Sequence, residues 1–248
     1  MRKAFGNREL ACIFGAAMII FLVAGGVPGS EKRVVIENNG WQLVGDLLIP
    51  KSKTPAPAVI LLNKANGNRK VYENLARLLA QNGIASLRVD LRGHGESINR
   101  GKFVPFQENP PDVLNDNDKD IVAVTEFLKR AKGIDKNRIG FVGASYSGEE
   151  MAIAARKNGY AKAYVALSPG SFSEDSIEAV DTSGAAWLFI KSANERASVL
   201  KDFFVVLRGK STTAQTLEVA GERHATDILE TNTELAEMLA VWFKYRLR

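Results

Sequence analysis

The chain has 248 residues, of which 46% are hydrophobic and 25% charged. That is enough apolar material for one domain with a full core, and too much for a disordered segment. The net charge of +5 is spread without a basic tract or an aromatic-interleaved patch, so nucleic-acid binding is not expected.

The first ten residues carry Arg2, Lys3 and Arg8. Ala11 to Val27 then runs without a charge, and Pro28-Gly29-Ser30 breaks it. Basic start, apolar middle and small residues at the end are the layout of a secretory signal, with Ala24-Gly25-Gly26 as a cleavage site. The run is also near the lower limit for an uncleaved membrane anchor, and a buried N-terminal helix is the third reading. Residues 1–30 are therefore assigned to a signal peptide or anchor and residues 31–248 to the folded domain. Either of the first two readings places the domain outside the cytoplasm, periplasmic or extracellular. Contact with a membrane is expected through residues 11–27 only.

Beyond the leader, Arg33–Glu37 and Trp41–Ile49 flank Asn38-Asn39-Gly40, which reads as a hairpin turn. Six short apolar runs follow at Ala58–Leu62, Ile84–Val89, Ile139–Val142, Ala163–Leu167, Ala186–Ile190 and Thr216–Val219. Their continuity suits parallel strands covered on both faces. Helical patterns separate them at Tyr72–Gln81, Asp118–Lys132, Glu149–Lys157, Arg196–Leu207 and Thr226–Tyr245. Ile98–Asn117 reads as a long surface loop, Ser168–Gly184 as another loop near the site, and no segment is long enough for a cap domain. The fold class is α/β: a doubly wound, mostly parallel sheet of about eight strands with an antiparallel N-terminal hairpin.

Ser145 lies in Val142-Gly143-Ala144-Ser145-Tyr146-Ser147-Gly148, between a strand-like and a helix-like run. This is where a nucleophilic serine is mounted on a sharp strand-to-helix turn. Small residues two before and two after it, Gly143 and Ser147, let strand and helix approach. Serine needs a base, and the sequence holds two histidines. His224 follows the last strand and is the candidate base; His94 is the rival and reads better as structural. The acid that orients the imidazole should come from a strand-end loop between serine and histidine. Glu195 is the first choice, with Glu174 and Asp175 as competitors. Two backbone N–H groups should stabilise the oxyanion. Tyr146 supplies one; Ala65, in Asn63-Lys64-Ala65-Asn66-Gly67, supplies the other, with Lys64 as the neighbouring register.

The single cysteine, Cys12, sits in the leader, so the domain forms no disulfide and no thiolate metal site. Two histidines do not make a histidine-rich metal centre, and Asn115–Asp120 reads as an acid-rich helix start rather than a calcium loop. No metal and no organic cofactor are expected.

Asp90-Leu91-Arg92-Gly93-His94-Gly95-Glu96-Ser97, Gly143 to Gly148 and Gly221-Glu222-Arg223-His224 together resemble the α/β-hydrolases of the esterase, dienelactone hydrolase and serine-peptidase-like branches. The resemblance covers about residues 33–247. It implies a serine hydrolase acting on a small acyl substrate, and it makes the Arg-Gly-His-Gly stretch a structural turn. Ser147 replaces a usual glycine. Asn63-Lys64 stands where His-Gly is usual, which brings a cation toward the acyl or leaving-group side. The expected reaction is cleavage of a carboxylic ester or related acyl compound. The alternatives are a peptidase acting on short peptides and a non-catalytic binding protein on the same fold.

Overall fold

The computed structural model describes residues 29–109, 113, 115–170, 172–195 and 198–248. The expected leader lies almost wholly outside them, as do Pro110, Pro111 and Arg196. Among the described residues no helix is long and apolar enough to cross a membrane.

β1 (Gly29–Asn38) and β2 (Trp41–Pro50) form the expected hairpin, with Asn38 opposite Trp41. Asn39 and Gly40 turn it at φ 50° and 80°, the left-handed pair that a two-residue hairpin turn requires. β3 (Ala56–Leu62), β4 (Ala85–Val89), β5 (Ile134–Ala144), β6 (Ala163–Leu167), β7 (Ala186–Ser192) and β8 (Gln215–Val219) complete one eight-stranded sheet in the order β1-β2-β4-β3-β5-β6-β7-β8. β2 pairs antiparallel with β1 and β4, and every pairing from β4 to β8 is parallel.

Among the described residues seven α-helices flank the sheet: α1 (Glu73–Gln81), α2 (Asn117–Arg130), α3 (Tyr146–Asn158), α4 (Glu174–Thr182), α5 (Ser198–Lys210), α6 (Asp227–Thr231) and α7 (Thr233–Arg246). Successive strand residues alternate between two apolar layers. Ile60, Leu62 and Phe141 face Ile121, Met151, Ile177 and Phe204 of α2 to α5. Val59, Leu61 and Val142 face Leu75, Ile228 and Phe243 of α1, α6 and α7. Both faces are buried, which explains the uninterrupted apolar strands.

Two expectations are corrected. Ser168–Gly184 is not all loop, because it contains α4, started by the Ser173 side chain accepting from Ser176 N–H and buried through Ile177, Ala179 and Val180. The helical pattern of 226–245 is two helices. Asn232, at φ −126° and ψ 79°, leaves helical geometry between them.

Asp90, fully buried at the end of β4, organises the Gly93–Ser97 turn. Its carboxylate accepts from Arg69 N–H at 2.6 Å, from Arg69 Nη1 at 2.5 Å and from Glu96 N–H at 2.9 Å. Arg69 also reaches Asp46 and Glu96, at 2.8 and 2.7 Å. Gly95, at φ 51°, passes so close that a Cβ there would lie 2.1 Å from Asp90 Oδ2. A second buried pair, Arg92 with Asp120 at 2.6 Å, fixes the turn to α2. The acid-rich start of α2 is thus consumed by ion pairs, with Asp118 held by Lys157 at 2.6 Å.

Breaking a buried pair from one side costs about 3–5 kcal/mol, because the other charge stays buried. Asp90→Ala should lower unfolding free energy by about that amount in urea titrations; a loss below about 1 kcal/mol would remove Asp90 as the organiser.

Glu150 on α3 sits where desolvation and the charges of Asp118 and Glu149 raise its pKa to about 7, against the backbone N–H of Asp118 and the charge of Lys157. Its neutral form is favoured in the folded state. Stability should therefore decline as pH rises from about 4.5 to about 7. Glu150→Gln should melt like wild type at pH 4 and at a higher temperature at pH 8; a constant difference across that range would contradict it.

Candidate active site

Ser145 is the single residue between β5 and α3, at φ 54° and ψ −121°. Few side chains tolerate this backbone, and it persists because the surroundings over-determine it. Ser145 N–H donates to Leu167 O at 2.9 Å, and Gly148 N–H donates to Ser145 O at 3.0 Å. The Ser147 hydroxyl accepts from Ala144 N–H at 2.7 Å and donates to Ala144 O at 3.0 Å. Gly143 has no room for a side chain, since a Cβ would lie 2.7 Å from Ser147 O and 2.8 Å from Met151 Sδ. The Gly143-x-Ser145-x-Ser147 spacing is therefore a steric requirement of the turn.

His224 comes from the loop between β8 and α6. Its Nε2 lies 3.0 Å from Ser145 Oγ, and its Nδ1 is hydrogen-bonded to Glu195 Oε1. The carboxylate can only accept, so Nδ1 carries the proton and Nε2 is free to accept from the serine. Glu195 is 4% exposed, whereas the His224 side chain is 39% exposed. The carboxylate is thus buried and the imidazole is open to solvent. Glu174 and Asp175 lie elsewhere. They are exposed on α4, paired with Lys210 and Arg156 at 3.1 and 3.0 Å.

Two serines hold this arrangement, and neither stood out in the sequence. Ser168, fully buried after β6 at φ 40°, donates to Glu195 Oε2 at 2.8 Å and accepts from Ala225 N–H at 3.0 Å. Ser192, at the end of β7, donates to Arg223 O at 2.7 Å, and its N–H reaches Glu195 Oε2 at 3.3 Å. The residues on either side of His224 are thereby pinned to the ends of neighbouring strands. The available signal was a serine directly after β6 and another closing β7.

Tyr146 opens α3, so its N–H has no acceptor within the helix. Ala65 lies in the loop after β3, the strand next to β5. That loop closes through Gly67 N–H to Lys64 O at 3.0 Å. Asn63, fully buried, donates to Lys64 O at 2.9 Å and accepts from Leu91 N–H at 2.8 Å. Lys64 is not a free cation aimed at substrate. Its Nζ sits 2.6 Å from both carboxylate oxygens of Asp227, tying this loop to the start of α6.

His94 is the structural residue of the pair. It is buried, its Nδ1 lies 2.8 Å from Arg92 O, and burial lowers its pKa. It stacks between Phe103 and Tyr146, at 5.2 and 5.5 Å between centroids, so it supports the first residue of α3 from below. Among the described residues no cluster of three or more histidine, cysteine or acidic side chains is arranged to hold a metal.

Comparison with known structures shows the same fold. A dienelactone hydrolase from Anabaena variabilis superposes with a TM-score of 0.69 over 89% of this chain and 100% of its own, at 19% identity. Est1E from Butyrivibrio proteoclasticus, determined with ferulic acid bound, gives 0.67 over 84% and 98%, at 20% identity. An esterase from Pyrococcus furiosus gives 0.68 over 90% and 93%, at 16% identity. In sequence, 119 residues (47% of the chain) are 29% identical to an uncharacterized 31.7 kDa protein of the traX-finO intergenic region of Escherichia coli; the match takes in 38% of that relative's length. The family model of the X-Pro dipeptidyl-peptidases (S15 family) matches residues 39–204, more than half the chain, including Ser145 and Glu195 and ending before His224. Strand order, elbow and family match agree: the chain belongs to the S15 family of the α/β-hydrolase superfamily.

Proposed function

We propose that the protein is a serine hydrolase that cleaves a carboxylic ester or related acyl substrate through an acyl-enzyme on Ser145. The observation that carries this is the relay from Glu195 through His224 to Ser145, with the serine held on a strained turn. In this reading Ser145 Oγ attacks the acyl carbon as its proton passes to His224 Nε2. Glu195 holds the imidazole by Nδ1–H and stabilises the imidazolium. The N–H groups of Tyr146 and Ala65 receive the oxyanion. Collapse expels the leaving group, which takes the proton from Nε2. Water, deprotonated by the same nitrogen, then releases the acid and restores Ser145. No cofactor enters the scheme.

The family match favours a second reading, a peptidase acting on short peptides that release a dipeptide ending in proline. The same acyl chemistry serves both; the choice lies in the leaving group and in whatever recognises a peptide amine. Residues 11–27 are proposed to direct or tether the domain outside the cytoplasm.

A fluorophosphonate probe should label wild type and not Ser145→Ala, with kcat falling at least ~10³-fold in the variant; a folded wild type that takes no label would remove Ser145 as nucleophile. Turnover of 4-nitrophenyl butyrate against alanyl-prolyl-4-nitroanilide separates the readings: faster ester turnover supports the first, faster anilide turnover the second. Ser168→Ala should lower kcat about tenfold, worth about 1.4 kcal/mol, with KM nearly unchanged, because the hydroxyl orients Glu195 without touching substrate. A kcat equal to wild type would show that the carboxylate needs no such support.

A further inference from the structure

Ser168, Pro169 and Gly170 carry the chain from β6 past the nucleophile. Ser145 N–H donates to Leu167 O at 2.9 Å, and Gly170 N–H donates to Ser145 O at 3.4 Å. The connection is therefore held against the elbow at both ends. Ser168 and Pro169 are buried, and Gly170 is half-buried.

Gly143 and Gly148, also beside Ser145, have steric reasons to lack a side chain. A Cβ at Gly143 would lie 2.7 Å from Ser147 O, and one at Gly148 would press on Pro169, 3.1 Å from its Cβ. Gly170 has no such reason. Its φ lies outside the left-handed region that favours glycine. Among the described residues a Cβ there would meet one atom within 4 Å, Ser145 Oγ at 3.7 Å, an ordinary van der Waals distance. The scaffold thus leaves room for a side chain at 170, and that room borders the reacting oxygen.

Gly170 and His224 reach the serine from opposite layers of the fold. Beyond Gly170 the chain runs to Phe172, which packs edge-on against Phe189 at 5.4 Å in the layer of α2 to α5. Beyond His224 it runs to Ala225 and Ile228, which pack in the layer of α1 and α7. A leaving group must take its proton from His224 Nε2 and so lies on the imidazole side. The part of a substrate beside Gly170 is then the acyl part.

We propose that Gly170 is a specificity-determining residue, whose missing side chain leaves room beside Ser145 Oγ for an acyl group branched at its α-carbon. This rests on the serine hydrolase reading of Ser145. In the acyl-enzyme the α-carbon is two bonds from Oγ, and its branches are three bonds away. They reach the space that a Cβ at 170 would fill, so a side chain there would exclude them by contact. An acyl group ending in proline is branched at the same carbon, so the room serves both readings of the substrate.

4-Nitrophenyl butyrate and its isomer 4-nitrophenyl 2-methylpropanoate share a leaving group and differ only in the α-branch. The ratio of kcat/KM for the branched ester to that for the straight one should fall about tenfold in Gly170→Val, the discrimination that a methylene-sized change produces in a pocket, and in the same direction in Gly170→Ala. Both variants should melt like wild type. 1-Naphthyl butyrate against 4-nitrophenyl butyrate varies only the leaving group, and that ratio should not move. An unchanged acyl ratio in the folded variants, or a leaving-group ratio that falls as far as the acyl ratio, would overturn the proposal and leave Ser145 as nucleophile. A wild type that hydrolysed none of these esters and took no fluorophosphonate label would overturn the hydrolase reading, and this inference with it.

Discussion

The backbone of Ser145, bent to φ 54° where β5 meets α3, is the constraint on which the rest of the site depends. A non-glycine residue there is strained, by about 1–3 kcal/mol, and the neighbourhood has to hold it. Gly143 removes the side chain that would collide with the first turn of α3. Ser147 folds its hydroxyl back onto Ala144. Leu167 of β6 accepts the serine N–H. The strain lifts the hydroxyl clear of strand and helix, so that it meets an imidazole from the far end of the chain.

Around the bend lies a layer of buried polar groups at the carboxyl ends of the strands: Asn63 after β3, Asp90 after β4, Ser168 after β6, Ser192 closing β7 and Glu195 just beyond it. Left unpaired, such groups would cost more than the turn itself. Each instead finds a partner in a neighbouring strand-end loop, so the loops support one another rather than standing separately on the sheet. Asp90 with Arg69 fixes the Gly93–Ser97 turn, and His94 in that turn stacks beneath Tyr146. On the other side Ser168 and Ser192 grip the flanks of His224. The positions of Ser145 and His224 are thus set by the buried groups around them.

The alternating apolar runs and the Asn-Gly hairpin made the sheet legible from sequence, since strands buried on both faces leave continuous apolar blocks. The Gly143-x-Ser145-x-Ser147 spacing was legible because sterics at the bend admit so few residues. Other features were not. Helix α4 buries only a narrow stripe through Ile177, Ala179 and Val180, too short to stand out among serines and acids. The break at Asn232 leaves no gap in apolar periodicity. Glu195 competed on paper with Glu174 and Asp175, and only the fold shows that α4 turns those two outward. Lys64 read as a stray cation because its partner, Asp227, is 163 positions away and nothing local announces it.

That ion pair has a consequence for the order in which the protein is made. A ribosome delivers Lys64 and the elbow long before it delivers His224 and Asp227. Until the junction between β8 and α6 emerges, the loop after β3 lacks its Asp227 tether and Ser145 lacks its His224 partner. The first seven strands precede His224 in the chain, so they can be made while Ser145 still lacks this partner. The contact between Ser145 and His224 therefore forms only when the loop between β8 and α6 docks onto strands already made.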